Sequence, residues 1–260
     1  SMLFITSAVG AVTSGFFQNL FQTKGLGIIN HVLLFCLTGI ILSFGQYKFL
    51  DSFIKIIGCV LIISTILSFS LIIVKGPISN QLFPILEYNK GDIFFIIALM
   101  GWMPTAVDLS TWNSLWTIER IRLTNYKPKL EQTIFEFNIG YLTSAFLSIC
   151  FVFLGAYLIY GTNISLSNSS ALFAHQVVKL YTQSIGDWSY LIISLASFSI
   201  MFGTCIAVFD GYARVTNECI VLLKNSNLKN KFYYNILIWI LVLGTTGIVT
   251  LFQTRLTTLV

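Results

Sequence analysis

Charged residues are scarce in this sequence. Only 10% of its 260 residues are charged, whereas soluble domains average roughly 25%. Hydrophobic residues make up 56%, and they are gathered into long runs. Proline, which would interrupt helices, occurs only four times. The composition excludes an ordinary soluble domain and indicates an integral membrane protein.

The apolar runs are long enough to cross a bilayer as helices, because a spanning helix needs about 20 mostly apolar residues. We therefore predict an all-α integral membrane protein with about seven transmembrane helices. They form one partial transmembrane domain over residues 1–260. The predicted helices cover residues 2–22, 26–45, 49–74, 92–120, 133–160, 187–223 and 231–252.

Basic residues in the predicted loops indicate the orientation. Lys and Arg of short loops are retained in the cytoplasm, and both the 120–130 and the 224–231 connections are rich in them. These connections are two spans apart, so they share the cytoplasmic side. The long 161–186 connection is then external, with a short amphipathic helix at about 170–184 on the outer surface. We expect a multi-pass protein of a bacterial inner membrane.

Cysteine and histidine are too few and too scattered to indicate a disulfide framework or an enzyme. The cysteines lie in apolar runs at unrelated spacings, which favours small core residues. His31 and His175 lie near the external boundary and are expected to be interfacial polar residues. We expect no enzymatic activity, no cofactor and no nucleic-acid partner. The cysteines are Cys36, Cys59, Cys150, Cys205 and Cys219.

The fourth run contains the most informative segment. Gly101 and Pro104 lie in one apolar stretch, and proline removes a backbone donor in mid-helix. We predict a helix interrupted between about Gly101 and Val107. Asp108 follows, and a carboxylate at membrane depth costs at least about 2.5–3.5 kcal/mol, so it usually faces a cavity, a cation or a proton. A simple kink and a paired structural carboxylate remain alternatives.

The sequence Gly-Trp-Met-Pro within this run carries a resemblance. Its Met-Pro pair resembles the Met-Pro-His-Asn segment of the Nramp divalent-metal transporters, which have a LeuT-like fold. The resemblance implies that the Met103 sulfur and the Met100 carbonyl bind the metal. A thioether is a soft ligand and suits Mn or Fe better than Ca or Mg. Residues 45–51 and 135–140 also look similar to that family.

Departures from the Nramp pattern modify these expectations. Thr105 and Ala106 stand where the family has His and Asn, so Asp108 and Thr105 become the candidates for a proton or cation path. The family's Asp-Pro-Gly-Asn motif has no counterpart, since the chain contains no Asp-Pro. Counted by resemblance, the chain begins near the third helix and ends after the ninth. We expect a fragment that lacks the first helices and the C-terminal helices.

The resemblance implies a secondary transporter that imports Mn²⁺ or Fe²⁺ by alternating access, coupled to protons. The metal ion is then the cargo, and membrane lipid is the other partner. The alternative is a LeuT-fold transporter of amino acids or other small organic solutes.

The sixth run carries a polar stripe of Asp210, Arg214 and Glu218 at intervals of four residues, with possible ion pairs. The stripe either belongs to a cytoplasmic helix extension or lines an inner vestibule.

Overall fold

The computed structural model describes residues 2–23, 27–44, 47–76, 109–158, 169–224 and 231–251, and a few positions between 93 and 100. Within these ranges the chain is helical and forms no strand. The elements are α1 (Met2–Phe21), α2 (Gly27–Phe44), α3 (Tyr47–Lys75), α4 (Leu109–Thr124), α5 (Leu130–Leu158), α6 (Ser170–Ile185), a 3₁₀ turn (Asp187–Ser189), α7 (Tyr190–Lys224) and α8 (Lys231–Leu251).

Four of the described helices are long and apolar enough to cross a membrane. They are Met2–Phe21, Leu130–Tyr157, Asp187–Leu223 and Phe232–Leu251, and shorter apolar helices cover Ile28–Ser43 and Gly58–Val74. The prediction of an all-α membrane protein is therefore confirmed at this level. The predicted interruption between Gly101 and Val107 lies outside the described residues. Beyond it, α4 continues to Thr124, past the predicted end at Arg120.

The long helix α7 is the centre of the bundle. It spans 35 residues and packs against α1, α2, α3, α4, α6 and α8. Large apolar side chains from α2, α7 and α8 fill the main core. Small residues let the helices approach closely: a Cβ on Gly10 of α1 would lie 2.1 Å from the Phe35 ring. The centre of this core is formed by Phe35, Ile206, Phe209, Ile238 and Val242.

Helix α1 buries hydroxyl groups, which are costly in an apolar interior unless they are hydrogen-bonded. Thr6 and Ser7 donate to carbonyls of the preceding turn. Thr13 donates to the Val9 carbonyl at 2.8 Å and also to the Met201 carbonyl of α7 at 3.1 Å. The second bond joins two helices directly, so α1 and α7 are linked by polar contacts as well as by packing.

Helix α6 lies against the ends of α1, α3 and α7. Its position, Ser170–Ile185, covers the short amphipathic helix expected at about 170–184. Ala174, Val178 and Tyr181 are buried on its apolar face. The Tyr181 hydroxyl lies 3.3 Å from Thr65 Oγ1. Burial raises the pKa of Tyr181 to about 12, so this hydroxyl stays protonated at ordinary pH.

The expectation that the cysteines are all core residues is wrong for two of them. Cys59 and Cys219 are exposed rather than part of the core, although Cys150 and Cys205 are buried. The surface of a membrane bundle is itself apolar, so a position in an apolar run does not distinguish its core from its lipid face. His31, expected at an interface, is only 7% exposed, and its ring stacks on Phe35 one turn along α2.

Candidate functional site

Most of the predicted metal site lies outside the described residues. This applies to Gly101, Met103, Pro104, Thr105 and Asp108, so their roles stay predictions. Met100 is described, and its side chain is 72% exposed. The role predicted for Met100 uses its backbone carbonyl, which this exposure neither supports nor opposes.

A buried carboxylate on α7 organises a polar site where α7 meets α4 and α8. Asp210 is 2% exposed. Its Oδ2 accepts hydrogen bonds from Trp116 Nε1 at 2.8 Å and from Arg214 Nε at 2.7 Å. The Tyr234 hydroxyl donates to its Oδ1. Three donors therefore satisfy one carboxylate, and they come from α4, α7 and α8.

Glu119 extends this arrangement on α4. It lies 3.6 Å from Arg214 Nη1 and 3.7 Å from Arg122 Nη1. The Arg214 guanidinium also sits 5.5 Å from the centroid of the Tyr234 ring. Arg214 thus bridges two carboxylates while its face packs on an aromatic ring. We call the group the Asp210 cluster; it consists of Trp116, Glu119, Asp210, Arg214 and Tyr234.

Helical spacing explains why these residues meet. Trp112, Trp116 and Glu119 are three or four residues apart, so they share one face of α4. That face meets α7, where Gly211 provides the space: a Cβ there would lie 2.5 Å from Trp112 Cδ2. The Trp112 ring also meets Tyr212 edge-on, with centroids 4.8 Å apart. Two tryptophans and a glycine therefore set how closely α4 approaches α7.

The electrostatics favour a structural or gating role for the Asp210 cluster over ligand binding. A buried ion pair is costly unless its charges are well matched and hydrogen-bonded, and here the Asp210 oxygens are occupied by donors. Both Asp210 oxygens already accept hydrogen bonds, so a cation would compete with these donors for the carboxylate. Among the described residues, no group of three His, Cys, Asp or Glu side chains is placed to hold a metal ion.

The opposite face of α4 is polar and open. Ser110, Asn113, Ser114 and Thr117 follow one another at helical spacing, and all four are exposed. Polar residues in membrane helices usually face a water-filled cavity or another helix. This stripe begins two residues after Asp108, so it continues the polarity of the predicted site along α4.

A second polar cluster lies at the other end of α7, and Asn19 of α1 is its centre. Asn19 Oδ1 accepts a hydrogen bond from the Tyr190 hydroxyl at 2.9 Å and lies 3.1 Å from His175 Nδ1. Its Nδ2 donates to Ser194 Oγ at 3.3 Å. Asn19 thereby joins α1 to both α6 and α7.

Part of the Asp210 cluster was predictable. The expected ion pair between Asp210 and Arg214 is confirmed at 2.7 Å. Trp116 and Tyr234 were not singled out, because aromatic residues in apolar runs normally indicate packing. The spacing of Trp112 and Trp116 in a helix with many polar residues was the one available signal.

Comparison with known proteins gives one relative. The chain is similar to uncharacterized protein PM0681 of Pasteurella multocida (strain Pm70), with 30% identity over 217 residues, or 82% of this chain and 50% of that protein. This chain therefore spans about half the length of its relative. No protein-family model and no solved structure matches the chain.

Proposed function

We propose that this chain is part of a secondary transporter that imports divalent transition-metal ions such as Mn²⁺ or Fe²⁺, coupled to protons. In this proposal the chain supplies part of a LeuT-like bundle of about seven membrane helices. The helix that leads into α4 is broken between Gly101 and Val107. The metal binds at that break, to the Met103 sulfur and the Met100 carbonyl. Helices missing from this piece supply the anionic ligands.

The observation that carries the proposal is the character of α4. It begins five residues after Pro104 of the Gly-Trp-Met-Pro segment, and in a largely apolar chain it exposes the stripe of Ser110, Asn113, Ser114 and Thr117. Its other face contacts a buried carboxylate on α7. Many secondary transporters build their site from a discontinuous helix near the midplane of the bilayer, and a polar stripe next to such a break would give hydrated access to it. Thr105 lies within the proposed break and Asp108 lies between the break and the stripe, where protons or cations would pass.

Metal uptake by the full-length protein tests the cargo. The protein is reconstituted into vesicles that contain a metal-sensitive dye, and Mn²⁺, Ca²⁺ and Mg²⁺ are supplied in turn under a proton gradient. Softer metals gain more from a thioether than Ca²⁺ or Mg²⁺ does. Met103→Ala should therefore weaken discrimination against Ca²⁺ and Mg²⁺ more than it weakens Mn²⁺ uptake.

Met100→Ala is the matched control. It removes a methionine sulfur three residues away but keeps the backbone carbonyl, which is the proposed ligand. Selectivity should therefore match that of the parent protein. Equal selectivity in the Met103→Ala and parent proteins would contradict the metal site. Uptake of an organic solute without metal uptake would favour the alternative cargo.

A further inference from the structure

The contact between α4 and α7 contains one hydrogen-bond donor that lacks an acceptor. Trp112 is 3% exposed, and its Nε1 has no hydrogen-bond partner among the described residues. One turn later on the same face, Trp116 Nε1 donates to Asp210. A buried donor left without a partner is destabilising and requires a reason. Here two indole donors lie one turn apart on the same face of α4, and Asp210 accepts a hydrogen bond from only one of them.

We propose that Asp210 is the fixed point of a two-position ratchet, in which α4 slides by about one turn and Trp112 replaces Trp116 on the carboxylate. One turn of helix is about 5.4 Å, and such one-turn shifts of one element past another are a known way to switch between two packed states. The proposal rests on the transport function for its purpose, because the slide would move the chain that enters α4 from the predicted site.

The contacts of the Asp210 cluster divide in the way that a ratchet requires. Arg214 lies on α7 and Tyr234 on α8, so both remain bonded to Asp210 when α4 moves. The carboxylate therefore stays compensated in both positions. The slide would break the Trp116 bond and the Glu119–Arg214 pair between α4 and α7, together with the packing of the Trp112 ring on Gly211 and Tyr212. The Trp116 bond is replaced by the Trp112 bond, and the ion pair is weak because its side chains are 35% and 28% exposed.

The surroundings of α4 permit the movement. Apart from the face that meets α7, its side chains are largely exposed. The turn of residues 125–129 leads to α5, and residues 130–142 of α5 are all exposed in the part of the chain that the structure describes. The turn can therefore move with α4 without breaking buried contacts. In the predicted orientation α4 runs inward, so bringing Trp112 to Asp210 moves the helix toward the cytoplasm.

Distances between two spin labels test the ratchet in the reconstituted full-length protein. One label is placed at Ser114→Cys on the exposed face of α4 and the other at Leu222→Cys, which is 77% exposed on α7. Of the native cysteines, Cys36, Cys59 and Cys219 are replaced by serine, and the buried Cys150 and Cys205 are kept. The parent protein should give two distances, displaced from each other by up to about 5 Å.

Two tryptophan variants shift this distribution in opposite directions. Trp112→Phe removes the unpartnered donor together with the five-membered ring of the indole, so the population at the second distance should fall about tenfold, as expected for a lost hydrogen bond to a charged group. Its Mn²⁺ uptake should fall to a similar degree. The lost side-chain volume also lowers thermal stability, so the distances rather than the stability report the lost donor, and Trp116→Phe makes the same truncation. Trp116→Phe should raise the population at the second distance. Trp188→Phe, at an indole that is 71% exposed in the 3₁₀ turn before α7, is the control and changes the population of neither distance.

The outcomes are distinguishable from those of the cargo experiment. A single distance in the parent and both variants would overturn the ratchet, and so would a Trp112→Phe protein with unchanged distances. If Mn²⁺ uptake is absent but the two distances respond as described, the ratchet stands and the proposed cargo fails.

Discussion

Replacing Gly15 with alanine tests how tightly α6 is held against α1. A Cβ at Gly15 would lie 2.3 Å from the Ser170 carbonyl oxygen and 2.5 Å from its carbon. Both are backbone atoms at the start of α6, so no side-chain rotation can relieve the contact. Alanine gains about 0.5–1 kcal/mol over glycine in a helix, but overpacking costs typically about 1–3 kcal/mol. The difference between these ranges is about 0–2.5 kcal/mol, so we expect Gly15→Ala to be destabilising by up to about 2.5 kcal/mol.

Gly247→Ala is the matched control, because nothing lies within 4 Å of a Cβ at that position. The substitution adds only the higher helix propensity of alanine, so the unfolding temperature should equal or exceed that of the parent protein. Thermal unfolding in detergent measures the difference, at about 2–4 °C for each kcal/mol. Hydrogen exchange of the Ser170–Ile185 amides should rise only in Gly15→Ala. If Gly15→Ala unfolds at the temperature of Gly247→Ala with α6 amides equally protected, the close contact of α1 with α6 is refuted.

Three further predictions concern polarity, thiols and sidedness. Asn19→Leu removes the acceptor of the Tyr190 hydroxyl and should lower the free energy of unfolding by about 1–3 kcal/mol in a denaturant titration; equal stability would contradict the Asn19 contacts. Cys219 should react with a maleimide in the native protein, whereas buried Cys205 should react only after unfolding. Mass spectrometry measures the labelling, and labelling of Cys205 in the native protein would contradict its burial in the core. A cysteine at Lys127 should be protected from an impermeant reagent added outside intact cells, and its modification would reverse the predicted topology.

The helices were predictable because their signal is local. A run of about 20 apolar residues indicates a spanning helix whatever its neighbours are. The amphipathic spacing of α6 likewise reveals which side faces the protein. The ion pair of Asp210 with Arg214 belongs to the same category, because residues four apart on one helix meet by geometry alone.

Contacts between helices were not predictable in this way. Trp116 and Asp210 are 94 residues apart in the chain, and no periodicity within α4 or α7 specifies that they meet. Tyr234 contributes a hydroxyl, but in an apolar run it has the same pattern as a packing residue. Exposure is equally hard to predict: the face of α3 that carries Cys59 and the face of α7 that carries Cys205 are both apolar, and only their neighbours distinguish them.

The unbroken length of α7 has a mechanical consequence. Ser194, in contact with Asn19, and Asp210 lie on the same continuous helix, 16 residues or about 24 Å apart at 1.5 Å per residue. A continuous helix tilts as a rigid body. When it tilts about a fixed point along its length, its two ends therefore move in opposite directions. Thr13, bonded to the Met201 carbonyl about midway between those two positions, supplies such a pivot. A change at the α6 end, for instance loss of the contact between His175 and Asn19, would then alter the force that α7 exerts on α4.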